Sequence, residues 1–206
     1  MNAPILIVDY GMGNIGSLRN MLRRIGVKTD VAADPASIVR ANKLLLPGVG
    51  AFDPAMARID AGGLGDAIRR RAREDGVPTL GVCLGMQLLT NGSEEGKMPG
   101  LGLIPGGARR FSRDMGLKVP HMGWNVVERS TPSQLTATLP EDSRFYFVHS
   151  YAVAVDDERH SILKAEYGLR FDAAIQCDNV YGVQFHPEKS HRFGMTLLKA
   201  FADLPC

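Results

Sequence analysis

Cysteine is scarce in this 206-residue chain: three residues, at 83, 177 and 206, an odd number with no Cys-x-x-Cys pair. That argues against a disulfide framework, and the lack of any Cys or His pair at ligand spacing argues against a metal site. Long hydrophobic runs are missing as well. None reaches the roughly 18 residues of a membrane span, and the opening MNAPILIVDY lacks the basic start and small-residue cleavage site of a secretory signal. A reduced, cytoplasmic protein that meets no membrane is expected. Neither charge is in excess: 24 Lys and Arg stand against 22 Asp and Glu, a net charge of +2, too little for a nucleic-acid binder. The basic run IRRRAR at 68–73 reads as the solvated face of a helix or as a docking patch.

What is present is an ordered alternation. PILIVDY is a short apolar run closed by GMGN, and NIGSLRNMLRRIG then sets Ile15, Leu18, Met21, Leu22 and Ile25 at helical spacing. VKTDVA reads as a second strand. DPASIVRA reads as a short helix capped by Asp34 with Pro35 at its first position. KLLLPGVG is a third strand ending in a glycine loop, GGLGDAIRRRARE a helix, and PTLGV a fourth strand. Strands that are apolar throughout, each followed by a helix, predict an open, mostly parallel sheet with helices on both faces. From about residue 101 the texture becomes β-rich: NVVERS, RFYFVHSYAVAV, SILKAEY, FDAAIQC and VYGVQFH are expected to extend the sheet as antiparallel strands before a helix at 189–203. No linker divides the halves, so one domain over 1–206 is expected.

In such sheets the ligand site lies beyond the carboxyl ends of the strands, where PGVG, GVCLG and FHPEKS fall. GVCLG has the form of a nucleophile elbow with sulfur in place of oxygen. Gly81 and Gly85 leave room for a sharp strand-to-helix turn that holds Cys83 exposed at the top of the sheet, in a strained backbone. A helix starting there favours the thiolate. Taken alone, Cys83 could equally be a small buried hydrophobe. A catalytic thiol needs a base and the base an orienter, and FHPEKS supplies both. Pro187 pushes His186 toward extended geometry, so His186 and Glu188, two apart, share a side. The backbone N–H of Leu84 is placed to meet an oxyanion, and LPGVGAF offers a second donor near Val49 and Gly50. Read by itself, that loop is also compatible with a plain turn or a phosphate cradle, though it lacks the Lys-Ser/Thr ending of a P-loop.

Together LPGVGAF, GVCLGMQLL, VPHMGWN, YFVHSY and GVQFHPEKS, in that order, resemble the class I (triad) glutamine amidotransferases, and within them the glutaminase subunits of imidazole glycerol phosphate synthase. The likeness runs from VDYGMGNIGSL to the last helix. It implies a flavodoxin-like fold and hydrolysis of glutamine to glutamate and ammonia without a cofactor. Cys83 is similar to the nucleophile, His186 to the base and Glu188 to its orienter. Gly50, Gln87 and the backbone of His149, Ser150 and Tyr151 match positions that hold glutamine. Asn14, the PHMGWN residues His121, Met122 and Trp124, and Lys189 resemble residues facing a (β/α)8-barrel synthase subunit. That partner joins the ammonia to a phosphorylated precursor of histidine. The segment EKSHRFGM, with His191, Arg192 and Phe193, resembles paralogous glutaminases that serve the amidation of cell-surface sugars, which keeps a second pathway open. An inactive scaffold, or a stand-alone γ-glutamyl hydrolase, would be a different class of protein. The intact Cys83, His186 and Glu188 argue against the first, and the interface-like PHMGWN and missing signal peptide against the second.

Overall fold

The computed structural model describes residues 4–112 and 116–205, so Cys206 lies outside the described residues. Along the chain, β1 (Ile5–Val8) leads into α1 (Ile15–Arg24), β2 (Thr29–Ala32) into α2 (Pro35–Arg40), β3 (Leu44–Leu46) into α3 (Phe52–Ala61) and α4 (Leu64–Arg73), and β4 (Thr79–Val82) into the short α5 (Leu84–Leu89). There follow β5 (Gly106–Arg110), β6 (His121–Val126), β7 (Glu128–Arg129), β8 (Arg144–His149), β9 (Tyr151–Val155), β10 (Ser161–Tyr167), β11 (Leu169–Cys177), β12 (Val180–Val183) and α6 (His191–Asp203).

β1, β3, β4 and β12 are buried at every position, as strands covered on both faces must be. Alternate residues of β1 serve opposite cores. Ile5 and Ile7 pack with Leu18 and Leu22 of α1 and Leu197, Leu198 and Phe201 of α6, whereas Leu6 and Val8 pack with Ile38 of α2, Ile59 of α3, Ile68 of α4 and Leu88 of α5. Each such fully buried aliphatic or aromatic side chain contributes roughly 1.5–3 kcal/mol. The resulting sheet has the order β2-β1-β3-β4-β12-β11-β10-β7, parallel from β2 to β12 and antiparallel beyond.

Three expectations need correction. β2 is the edge strand and is partly exposed along its length. The segment before α4 is itself a helix, α3; Phe52, Ala55, Met56 and Ile59 are its buried face, a helical spacing visible in AFDPAMARIDA, with Pro54 tolerated in the first turn. The β-rich half extends the main sheet through β12, β11, β10 and β7, and of these β12, in VYGVQFH, runs parallel to β4, not antiparallel. RFYFVHSYAVAV breaks at Ser150: β8 pairs with β6 and β9 with β5, as two separate two-stranded ribbons. That break lays residues 148–151 over the carboxyl end of β4. The basic run is accounted for locally, Arg69 pairing with Asp66 on α4 at 3.0 Å and Arg71 with Asp75 just past its end at 2.7 Å.

Candidate active site

Cys83 sits at the junction of β4 and α5 with φ 54° and ψ −109°, a positive φ in a non-glycine residue that costs on the order of 1–3 kcal/mol and persists only where the surroundings hold it. They do so closely. Its N–H donates to Val183 O of β12 at 2.8 Å, and its carbonyl accepts from Met86 and Gln87 of α5. A Cβ on Gly85 would lie 1.9 Å from Leu46 O, and one on Gly48 2.6 Å from Gly85 N, so the elbow and the PGVG loop interlock backbone against backbone. Tyr10, beyond the end of β1, donates its hydroxyl to Pro47 O at 2.6 Å and pins the loop. Burial and the nearby Cys83 charge push the Tyr10 phenol up.

The thiol is not exposed as the elbow pattern suggests: Cys83 is 7% exposed. The β8–β9 bend covers it, with Val148 O 3.8 Å from Sγ. It opens instead into a cavity of about 350 Å³ lined by Val49, Gly50, Leu84, Gln87, Ser150 and His186 among others.

His186 Nδ1 lies 2.9 Å from Glu188 Oε1, both side chains almost fully buried. The pairing is as expected, but its geometry is not that of a strand. Pro187–Lys189 form a 3-10 turn, and only His186 is extended (φ −100°, ψ 96°). Burial pulls the His186 imidazole down, yet hydrogen bonds to Cys83 and Glu188, and the charges of both, outweigh it and lift the ring to about 9. The histidine backbone is clamped too: His186 N–H donates to Tyr146 O, Tyr146 N–H to Ser190 Oγ, and Ser190 Oγ–H to His186 O.

Gln87 Nε2 donates to Tyr151 O at 3.3 Å. His149, Ser150 and Tyr151 line the cavity, but the His149 ring turns inward. Its Nδ1 donates to Tyr151 O at 2.8 Å, and its Nε2 lies 3.0 Å from His121 Nδ1. His121, expected to face a partner, is therefore buried, 3% exposed, under the ring of Tyr167 at 4.1 Å. Strand alternation explains this: His121 and Asn125 point in, whereas Met122, Trp124 and Val126 point out, at 62%, 46% and 55% exposure. Burial lowers both histidines, with His186 and His121 also pressing on His149. Both are neutral at pH 7.

Asn14 holds the N-cap position of α1, and Lys189 Nζ lies 5.8 Å from the centre of the Tyr146 ring at the cavity rim. Trp124 stacks on His191 at 5.6 Å, Arg192 reaches Asp142 at 3.2 Å, and Phe193 is buried. The bulky residues of EKSHRFGM are thus occupied by packing and pairing. Sequence reading missed Tyr10, Glu95, Ser190 and Gln184. Glu95 lines the cavity while its Oε2 accepts from Phe52 N at the start of α3. Only Gln184, two residues before His186 on the same strand end, carried a positional signal.

Residues 6–203 match the family described as glutamine amidotransferase class-I. The chain is 49% identical over 197 residues to imidazole glycerol phosphate synthase subunit HisH 2 of Methanococcus maripaludis, covering 96% of this chain and 98% of that protein. To subunit HisH of Moorella thermoacetica it is 50% identical over 202 residues, covering 98% and 95%. Among solved structures it is similar to PurLQS of Thermotoga maritima, with TM-score 0.77 at 17% identity and 98% of each chain covered. A crystal structure of a glutamine amidotransferase gives TM-score 0.72 at 18% identity, covering 97% and 99%. At these identities the structural likeness concerns the fold.

Proposed function

The chain belongs to the class I glutamine amidotransferases, and we propose that it is, over residues 1–206, the glutaminase subunit of an imidazole glycerol phosphate synthase, releasing ammonia from glutamine for histidine biosynthesis. The observation that carries the reading is the strained Cys83 lining one cavity with a histidine whose Nδ1 is held by a buried carboxylate. The high identity of the HisH subunits along the whole chain supports the pathway.

In the reaction, the Cys83 sulfur attacks the side-chain amide carbon of glutamine. Glu188 accepts from His186 Nδ1–H, leaving Nε2 to take the thiol proton and deliver it to the departing ammonia. Water, deprotonated by the same nitrogen, then hydrolyses the thioester to glutamate. Each step passes through an oxyanion. Leu84 N–H, the first of α5 and without an intrahelical acceptor, meets it, together with an N–H of the Val49–Gly50 loop. Gln87, Gly50 and the backbone of 149–151 hold the substrate, and the Glu95 carboxylate on the cavity wall suits its α-ammonium.

The cyclase partner, a (β/α)8 barrel in this proposal, docks on the outward face of β6, where Met122, Trp124 and Val126 stand exposed, with Lys189 over the neighbouring Tyr146 and with Asn14 at the start of α1 as a further contact. His121 is no part of that surface. Ammonia made without an acceptor is wasted, so the isolated chain is expected to be a slow glutaminase that speeds up with the cyclase and its ligand bound. Glutamate production tests both statements. Cys83→Ala abolishes it and Cys177→Ala keeps it; substantial turnover in Cys83→Ala removes the nucleophile, and full turnover unchanged by any partner removes the coupling.

A further inference from the structure

Gln184 lies in the bend that follows β12, two residues before His186, and its side chain meets Cys83. Gln184 is completely buried, and its amide bridges two members of the site: Nε2 lies 3.9 Å from Cys83 Sγ and Oε1 3.4 Å from Gln87 Nε2. The orientation of both amides follows from a backbone atom. Tyr151 O can only accept, so Gln87 must turn its nitrogen there. The second hydrogen on that nitrogen needs an acceptor, which makes the facing atom of Gln184 the oxygen. The nitrogen of Gln184 is left against the sulfur. This casts the sulfur as acceptor, a role that a thiolate fills far better than a thiol. Val148 O, 3.8 Å away, works in the opposite sense by accepting from the S–H.

We propose that Gln184 is the amide donor to the Cys83 sulfur, holding its thiolate ready for attack against the pull of the Val148 carbonyl and tying the nucleophile to Gln87 of the substrate cavity. The inference rests on the reading of Cys83 as nucleophile. Gln87 Oε1, buried and without a hydrogen-bond partner among the described residues, is then the end of the chain left for a donor on the substrate. The other titratable groups around the sulfur are His186 and Glu188 after β12, Tyr10 after β1 and His149 at the end of β8, with Glu95 and Lys189 at the cavity wall.

The test is the pH dependence of Cys83 alkylation by iodoacetamide in the purified full-length chain, with Cys83→Ser giving the background from the other cysteines. Gln184→Met keeps the volume without a donor; Gln184→Glu keeps an oxygen for Gln87 but sets a carboxylate where the donor was. In both, the midpoint is expected to rise by about half to one pH unit, slowing alkylation below it about three- to tenfold. An unchanged or lower midpoint in a folded variant overturns the proposal, even where turnover falls, because a purely structural glutamine slows turnover without moving the thiol titration. If neither variant folds, the side-chain amide resonance of Gln184 in the intact protein decides. A shift that tracks the thiol midpoint supports the assignment, and none overturns it. Failure of the nucleophile reading would show separately, as glutaminase turnover surviving in Cys83→Ala.

Discussion

Acid should loosen this protein through the buried pair His121 and His149. Around them stand Phe111, Phe147, Tyr167 and Phe171, and burial holds both rings below the ordinary 6.5. The hydrogen bonds require the neutral forms. His149 Nδ1–H donates to Tyr151 O, its bare Nε2 accepts from His121 Nδ1–H, and His121 Nε2 accepts from Asn125 Nδ2 at 3.4 Å. An unfolded chain takes up the two protons that the folded one refuses. The contribution is therefore complete above pH 6.5 and is lost as the pH falls toward the folded-state values. At pH 5, 1.5 units below the free value, each ring that stays neutral costs about 2 kcal/mol of stability, so the pair costs about 2–4 kcal/mol, allowing for their coupling. His186 does not add to this acid loss. Its raised value of about 9 makes its contribution complete below pH 6.5, and that contribution is lost as the pH rises from there through 9. Urea unfolding at pH 7 and pH 5 reads the difference, and imidazole NMR titration reads the rings directly. Folded protein in which either ring titrates near 6.5, or a His121→Phe/His149→Met variant with unaltered pH dependence, would refute the reasoning.

Glu188→Gln removes the charge that orients His186 but not the base, and kcat should fall about 10²–10⁴-fold while His186 titrates below its present value of about 9; wild-type turnover would take the carboxylate out of the mechanism. Gly85→Ala drives a methyl to 1.9 Å from Leu46 O, and a loss of about 3 kcal/mol is expected in urea unfolding, whereas an unshifted midpoint would mean that the elbow and loop are not interlocked. Trp124→Ala should leave the thermal transition nearly unchanged and weaken cyclase binding at least about 30-fold, as loss of a central aromatic anchor does. Calorimetric titration giving an unaltered affinity would move the docking face elsewhere.

The parallel half of the fold was legible because its signals are local. Runs such as ILIV and LLL, the helical spacing of Leu18 and Leu22, and the Asp34–Pro35 start of α2 each act within a few residues. The helix α3 is equally local, its buried face spaced along AFDPAMARIDA just after the glycine loop. The elbow and the His-Pro-Glu turn are local as well, so Cys83, His186 and Glu188 could be named from spacing, even though the turn proved 3-10 and not extended.

Pairing decided the rest. RFYFVHSYAVAV has uniform strand character, and nothing within it says that β8 joins β6 while β9 joins β5; only those distant partners bend the chain at Ser150 and bring it over Cys83, closing a thiol that the elbow alone would leave open. The same pairing turns His121 inward and Trp124 outward, since alternation fixes that neighbours face opposite ways but not which way is in. Gln184 touches a sulfur 101 residues away. By itself the sequence determined which residues are candidates for the chemistry and the strand-helix units that present them, because backbone propensity and turn sterics act over a few residues. Tertiary structure alone decided what covers the thiol, which histidines are neutral and which amide faces the sulfur, because burial and hydrogen-bond partnership depend on segments that meet only when the sheet closes.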